Sequence, residues 1–171
     1  MTVLAIDPGN EFSAYVVYRD SDPVNFGKVA NQWLMSRIIE RVSLQAPGEI
    51  AIEMIASYGM PVGREIFETC VWIGRFLQAW GWDRPFSFVY RRDVKLHLCG
   101  SSRAKDGNVR AALLDRYGGK ATAVGNKKSP GPLYGVSADV WSALAVAVTY
   151  SDTQSQSCAT TQANAKQCVA P

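Results

Sequence analysis

Residues 3–9 read Val-Leu-Ala-Ile-Asp-Pro-Gly, and this stretch decides the fold class. An apolar run followed by Asp7 and a Pro-Gly turn is typical of a short buried strand that ends where the chain turns back. Residues 12–18 favour a second strand, and residues 23–29 favour a third. The chain therefore opens with a predicted antiparallel meander.

Helical and strand patterns alternate after the meander. Helices are predicted at residues 31–43, 64–80, 93–98, 104–117 and 136–150, and strands at residues 49–55 and 86–90. This order indicates an α/β domain with a mixed central sheet. Residues 118–135 are expected to form a loop. Residues 1–150 are expected to form one domain, and the polar residues 151–171 a disordered C-terminal tail.

The composition is that of one globular domain. The chain has 171 residues, of which 47% are hydrophobic and 19% charged, so large multidomain machines are excluded. No apolar run is long enough for a membrane helix and no basic leader precedes Asp7, so we expect a cytoplasmic protein without a membrane partner. The four cysteines form no C-x-x-C pair and His97 is the only histidine. This pattern argues against a zinc cluster and a Cys/His catalytic pair, and favours reduced thiols.

Positive charge is concentrated in one segment. Residues 84–128 contain eleven Lys or Arg and three Asp, a net charge of +8, whereas the rest of the chain carries −5. A segregated basic segment suits a polyanion such as nucleic acid, since each neutralised phosphate releases counterions. Solvated helix faces also produce charge runs, so this pattern alone leaves both interpretations open.

Three acidic residues occupy positions that suggest a shared site. Asp7 ends a buried strand, Glu53 lies within an apolar strand, and Asp139 lies in the first turn of the last predicted helix. A buried ionised carboxylate is costly unless a metal ion, a cation or a fixed donor meets it. Each acid also has a structural alternative as a capping or salt-bridged residue, and the helix macrodipole alone favours an acid at Asp139.

Convergence of these acids at one sheet edge would create a site for hard divalent cations. Mg²⁺ is held by a few carboxylates plus substrate phosphate. Two ions about 4 Å apart can activate water and stabilise the leaving oxygen. Together with the basic segment, this chemistry predicts metal-dependent cleavage of a nucleic-acid backbone.

Several ordered segments resemble one known family. They read Ala-Ile-Asp-Pro-Gly at 5–9, Ala-Ile-Glu-Met at 51–54, Val-Lys at 94–95, Cys-Gly at 99–100, Ala-Lys at 104–105 and Asp-Val-Trp-Ser-Ala-Leu-Ala at 139–145. In this order they resemble the RuvC-type Holliday junction resolvases, in a phage-like form, over residues 3–150. The resemblance implies a ribonuclease H-like fold, a homodimer without an organic cofactor, and paired Mg²⁺- or Mn²⁺-dependent nicks in opposed strands of a four-way DNA junction. It also implies that Asp7 and Glu53 are catalytic carboxylates of an endonuclease of DNA recombination and repair, in a bacterial or phage-infected cell.

The last segment departs from the family pattern. The family has Asp or His followed three positions later by Asp, which matches Asp139 and Ser142 here. Since Ser142 is a poor metal ligand, either Asp139 is the sole ligand from this helix or Ser142 holds a water beside the metal. Glu65 or Glu68 is a candidate fourth carboxylate, although an acid at the start of a helix is more often a dipole partner. The departure leaves reduced or absent cleavage open.

Candidate DNA contacts come from the basic segment. The resemblance implies that Lys95 and Lys105 bind the DNA backbone, and Arg91, Arg92 and Arg103 extend the same positive surface. Each of these side chains singly could equally be a solvated charge.

Apolar side chains are candidates for contact with bases. By resemblance, Tyr58, Met60 and Phe67 enter the junction centre, where apolar wedges unstack bases. A core or dimer role is an equal alternative for Phe67. These residues follow Glu53 along the chain.

The apolar helix at residues 64–80 is the candidate dimer seam. Sheet-facing positions are expected at Ile66, Cys70, Ile73 and Leu77, and partner-facing positions at Trp72, Phe76 and Trp80. The rival interpretation is a core helix covered by residues 118–135.

Other function classes remain as alternatives. Actin- or sugar-kinase-like ATPases also begin with a strand, an Asp and a Gly, but they need two such domains, which 171 residues cannot supply. A general branched-DNA or flap nuclease and a DNA-junction-binding protein that has lost catalysis both remain open. Metal-dependent nicking of branched DNA would separate the enzymes from the binding protein.

Overall fold

The computed structural model describes residues 1–40, 45–57 and 59–167, and for residues 158–167 the backbone only. The strands are β1 (Thr2–Asp7), β2 (Phe12–Arg19), β3 (Asp22–Ala30), β4 (Glu49–Met54), β5 (Phe86–Tyr90), β6 (Gly125–Asn126) and β7 (Ser129–Pro130). The helices are α1 (Asn31–Glu40), α2 (Arg64–Trp80), α3 (Arg91–Cys99), α4 (Asp106–Arg116), α5 (Lys120–Val124) and α6 (Val140–Gln167). Tyr58 and the predicted helix end at 41–43 lie outside the described residues.

Five strands form one mixed sheet in the order β3-β2-β1-β4-β5. β1, β2 and β3 are antiparallel neighbours, as the meander predicts, while β4 and β5 continue the sheet parallel to β1. The chain reaches β5 from β4 through α2, because a tight turn cannot join parallel neighbours. The mixed sheet with flanking helices confirms the predicted α/β class.

The two faces of the sheet bury two separate apolar cores. Leu4 of β1 points to the face that α1 and α2 cover, and Val3 and Ala5 point to the face that α6 covers. Because side chains alternate along a strand, Asp7 also lies on the α6 face. The same alternation in β4, where Ala51 lies in the α6 core, places Glu53 there too.

α2 buries Ile73 and Leu77 as predicted, but its buried face also includes part of the predicted dimer seam. Phe76 and Trp80, expected at a dimer seam, are 0% and 2% exposed and lie in the core shared with α1. Trp72 is half-buried against Phe76, with ring centroids 5.8 Å apart, and Cys70, expected to face the sheet, is an exposed free thiol. Since Phe76 and Trp80 follow Ile73 at one- and two-turn spacings, all three share one helix face. α1 packs against α2, whereas the rival interpretation had residues 118–135 covering this helix.

The last helix corrects the prediction of a disordered tail. α6 begins at Val140 rather than at Val136, and it continues to Gln167, so it crosses the expected domain boundary at residue 150. Residues 168–171 lie outside the described residues. Among the residues described, no helix is both long and apolar enough to span a membrane.

Residues 118–135 are more structured than the predicted loop. They contain α5 and the short hairpin of β6 and β7. Ala123 and Leu133 are buried in the α6 core. Gly125 has a φ of 63°, and a Cβ there would clash with the carbonyl of Ser129, so glycine is required at this turn.

Candidate active site at the ends of β1 and β4

One row of side chains crosses the sheet where β1 ends. Asp7 pairs with Ala14 of β2, and Ala14 pairs with Lys28 of β3. On the other side of β1, the parallel register with β4 brings Glu53 next to Asp7. Because paired residues point to the same face, Lys28, Asp7 and Glu53 all project toward the α6 side.

Asp7 and Glu53 share a cavity of about 190 Å³ that Arg91 also lines. The remaining wall comes from Pro8 and residues 54–56. The Glu53 side chain is only 14% exposed. The cavity therefore holds two neighbouring carboxylates that are largely withdrawn from solvent.

The charged form of each carboxylate is disfavoured in this cavity. Burial, followed by the charges of Glu53 and Asp139, raises the pKa of Asp7 from 3.8 to about 7, whereas Arg91 and a hydrogen bond from Ser142 lower it. Burial also raises the pKa of Glu53, and the charge of Arg91 opposes this rise. A cation placed between two such acids would relieve the cost of ionising both.

Arg91, the first residue of α3, is the cation nearest to Glu53. One of its guanidinium nitrogens lies 2.8 Å from Oδ1 of Asp106, and the other lies 3.6 Å from Oε2 of Glu53. Both Nη1 of Arg91 and Oε2 of Glu53 are buried, and neither has a hydrogen-bond partner among the described residues. The hydrogen bond from Arg91 lowers the pKa of Asp106. Arg91 therefore keeps donor capacity that a phosphate oxygen could satisfy.

Asp139 lies one residue before α6 instead of within its first turn. Its backbone carbonyl accepts hydrogen bonds from the N–H groups of Ser142 and Ala143, so Asp139 occupies the N-cap position of the helix. Its carboxylate lies 2.6 Å from Nζ of Lys28, and both side chains are about half exposed. Asp139 and Ser142 line a second cavity of about 340 Å³, which Arg91 and Asp106 also border.

A ring of hydrogen bonds holds the turn that follows Asp7. The N–H of Gly9 donates to Oγ of Ser13 at 3.2 Å, and the Ser13 hydroxyl donates to Oδ1 of Asn31 at 2.6 Å. Nδ2 of Asn31 then donates to the carbonyl of Gly9 at 2.9 Å. Because Ser13 and Asn31 are each only 1% exposed, the ring links the end of β1 rigidly to α1.

The donor chemistry of the Asp7–Glu53 cavity fits a hard divalent cation. Oxygen ligands are available there, one of them without a hydrogen-bond partner among the described residues. Mg²⁺ is commonly held by one or two carboxylates plus substrate phosphates. Within the described part of the chain, no group of three or more His, Cys, Asp or Glu side chains is placed to hold a metal ion together. The geometry is therefore that of a two-carboxylate site.

The two candidates for a fourth carboxylate are Glu65 and Glu68. The Glu68 carboxylate forms an ion pair with Arg64 at 2.6 Å, and Glu65 is exposed. Neither carboxylate is among the groups that shift the pKa of Asp7 or Glu53. The structure does not bring the predicted fourth carboxylate to the site.

The predicted DNA-contacting residues differ in exposure. Arg92 and Lys95 line a cavity of about 360 Å³ with Arg91. Arg103 and Lys105 are exposed. Met60 and Phe67 are 69% and 62% exposed, and Tyr58 lies outside the described residues.

Two residues of the site were not among the sequence predictions. Asp106 was counted only as one acid of the basic segment, and Lys28 only as part of a strand. A sequence signal existed for Lys28, since it lies in the third strand of a meander whose first strand ends at Asp7. Asp106 reaches the site only because α3 and α4 pack together.

Two solved structures of RuvC from Thermus thermophilus have a similar fold. The structure of RuvC from Thermus thermophilus superposes with a TM-score of 0.67 and 19% sequence identity, over 88% of this chain and 93% of that chain. Thermus thermophilus RuvC in complex with a Holliday junction substrate gives a TM-score of 0.60 at 19% identity, over 88% of this chain and 92% of that one. No protein-family model and no curated protein matches the chain. The predicted ribonuclease H-like fold, and the resemblance to RuvC-type resolvases at the level of the fold, are confirmed.

Proposed function

We propose that this protein is a divalent-metal-dependent endonuclease that resolves four-way DNA junctions by paired nicks. The observation that carries the proposal is the pair of buried, adjacent carboxylates, Asp7 and Glu53, in a cavity that Arg91 lines. A fold shared with a resolvase solved in complex with its junction substrate supports the choice of substrate.

Asp7 and Glu53 are proposed to hold the metal ion, either Mg²⁺ or Mn²⁺. A divalent ion held there would polarise a phosphodiester and lower the pKa of the attacking water. The resemblance implies two ions, of which the second would use Asp139. Arg91 is proposed to donate to a non-bridging phosphate oxygen, since its Nη1 has no hydrogen-bond partner among the described residues.

A basic surface is proposed to guide DNA to these carboxylates. Arg91 borders both the acidic cavity and the cavity that Arg92 and Lys95 line, so one side chain separates the basic surface from the carboxylates. Exposed Arg103 and Lys105 extend the positive charge. Phosphates bound along this surface would place one phosphodiester beside Asp7 and Glu53.

A homodimer is proposed because one chain offers one cutting site, whereas resolution needs two cuts. The exposed face of α2 is the proposed contact. Phe67 and Val71, each 62% exposed, are four residues apart and therefore lie on the same face. Exposed Gly74 continues this face and permits close helix approach.

A cleavage assay tests the function. The wild type should nick a mobile four-way junction faster than duplex, fork or flap DNA in Mg²⁺ or Mn²⁺, and Glu53→Gln and Asp7→Asn should lose nicking while still binding the junction. The matched control is Glu40→Gln, which neutralises an exposed acid on the opposite face of the sheet and should cleave as the wild type does.

Other results of this assay would support other functions. Equal cleavage of all branched substrates would favour a general branched-DNA nuclease. Tight junction binding without cleavage in either metal would favour a binding protein. Unchanged nicking by Asp7→Asn would overturn the site.

A further inference from the structure

Lys28 is positioned by the sheet to act in the site. It lies in the same cross-strand row as Asp7, with Ala14 between them. Neighbouring strands are about 4.8 Å apart, so Lys28 and Asp7 are separated by about 10 Å at the backbone. The small side chain of Ala14 leaves the extended Lys28 side chain room to reach toward the end of β1, where Nζ meets Asp139 at 2.6 Å.

The acids of the site divide into two kinds by their partners. Asp139 is paired with Lys28, and Asp106 is paired with Arg91 at 2.8 Å and with Lys95 at 3.6 Å. Asp7 has no fixed cation at ion-pair distance among the described residues, and the closest cation to Glu53 is Arg91 at 3.6 Å. Asp7 and Glu53 are therefore the acids whose charge is least compensated by the protein.

The α6 side of the site lacks the ligands for a second ion. The position one helical turn after Asp139 is Ser142, a neutral and weak ligand. Asp139 would have to exchange its lysine for a metal, and Ser142, whose hydroxyl is hydrogen-bonded to Asp7, offers no charged ligand.

We propose that Lys28 is a substrate-binding residue and that each chain binds one divalent cation, at Asp7 and Glu53. The ammonium of Lys28, oriented by Asp139, supplies positive charge to the phosphate on the α6 side, where a second ion would otherwise lie. Asp139 is then a positioning residue for Lys28. The inference rests on the proposed nuclease function for the identity of the substrate, but its metal stoichiometry does not depend on cleavage.

Titration of the full-length, metal-free protein with Mn²⁺ in a calorimeter tests the stoichiometry. The expected result is one ion per chain, with affinity reduced by about tenfold or more in Glu53→Gln and changed by less than about threefold in Asp139→Asn. Two ions per chain, or a loss in Asp139→Asn as large as in Glu53→Gln, would overturn the proposal. Because Asp139 is half exposed and asparagine also caps helices, the Asp139→Asn variant is expected to fold.

Junction binding in the presence of a chelator tests the role of Lys28 without metal. Lys28→Met should weaken binding and reduce the salt-dependence slope by less than one unit, because Asp139 partly neutralises the lysine, and Lys28→Arg should restore both. The matched control is Arg37→Met, which removes another ion-paired surface cation, on α1 at the opposite face of the sheet, and should leave the slope unchanged. A wild-type slope in Lys28→Met would overturn the role of Lys28.

The metal and cleavage results separate this inference from the proposed function. If the protein binds one Mn²⁺ with the expected variant pattern but cuts no DNA, the single-ion site is supported and the proposed nuclease function is overturned. If the protein resolves junctions while binding two ions per chain, the nuclease function is supported and the single-ion site is overturned.

Discussion

Asp152 of α6 accepts two hydrogen bonds from the guanidinium group of Arg116, at 2.7 and 2.8 Å. Nε2 of His97 lies 2.9 Å from the same carboxylate. Burial alone would raise the pKa of Asp152, but the hydrogen bonds from Arg116 and His97 outweigh burial and lower it. One carboxylate thus connects the middle of α6 to α3 and α4.

Replacing Asp152 should destabilise the fold. Asp152→Ala removes a bidentate, charge-assisted contact, and we expect a loss of about 1 kcal/mol and a fall of about 3 °C in Tm. Thermal unfolding measured by circular dichroism checks this value. Asp115→Ala, which removes an exposed acid from the same helix as Arg116, is the control and should change Tm little.

A chain ending at residue 150 should lose at least as much stability as Asp152→Ala, and wild-type stability in that chain would show that the contact contributes nothing.

The raised pKa of Asp7 predicts a pH dependence of stability in metal-free protein. Its pKa is 3.8 ordinarily and about 7 in the fold, so the folded state holds this proton more tightly than the unfolded state does. The stabilising contribution of the protonated carboxyl is complete below pH 4 and is lost as pH rises through 7. We expect this loss to reach about 4 kcal/mol at most.

Asp7→Asn isolates this contribution, because asparagine stays neutral at every pH. In the presence of a chelator, the variant should match the wild type near pH 4 and become increasingly more stable than it toward pH 8. Denaturant unfolding at several pH values gives the comparison. A stability difference that does not change with pH would contradict the raised pKa.

The two faces of α2 should respond differently to substitution. Phe76 is fully buried, so Phe76→Ala should cost about 3–5 kcal/mol of unfolding free energy. Val71 is 62% exposed, so Val71→Glu should leave the stability of each chain nearly unchanged but dissociate the proposed dimer. Analytical ultracentrifugation and denaturant unfolding of both variants separate the effects. A Val71→Glu protein that remains dimeric would remove this face as the interface.

Lys105 and Lys95 should differ in their contributions to DNA binding. Lys105 is exposed, so Lys105→Ala should weaken junction binding and lower the salt-dependence slope by about one unit. Lys95 is 22% exposed and lies 3.6 Å from Asp106, so its charge is partly neutralised and Lys95→Ala should change the slope less. Fluorescence anisotropy over a range of salt concentrations measures both slopes, and equal slopes in the two variants would contradict this difference.

Local patterns along the sequence were sufficient for much of the fold. The apolar runs predicted β1 and β2, and the bounds of α2 and β5 agree with the prediction. The sequence also indicated that Asp7 ends a buried strand and that Glu53 lies within another, and the register of β1 with β4 then brings the two acids together. These predictions succeeded because alternation and helical periodicity are properties of neighbouring residues in the chain.

The helix packing was not predictable in the same way. Trp72, Phe76 and Trp80 form an apolar stripe, but periodicity alone does not say whether α1 or a second chain covers that stripe. The polar composition after Ser151 favoured disorder. In the structure this segment continues α6, and Asp152 within it forms an ion pair with Arg116. Tertiary contacts outweigh local composition in both places.

The sequence by itself determined the strand order of the meander, the buried positions and the two central carboxylates, since each depends on residues close together in the chain. Only the tertiary structure decided which cations form ion pairs with the other two acids of the site, Asp139 and Asp106. The pair of Lys28 and Asp139 and the pair of Arg91 and Asp106 join segments that are far apart in sequence. Such contacts depend on strand register and on helix packing, and neither can be predicted from residues that are neighbours in the chain.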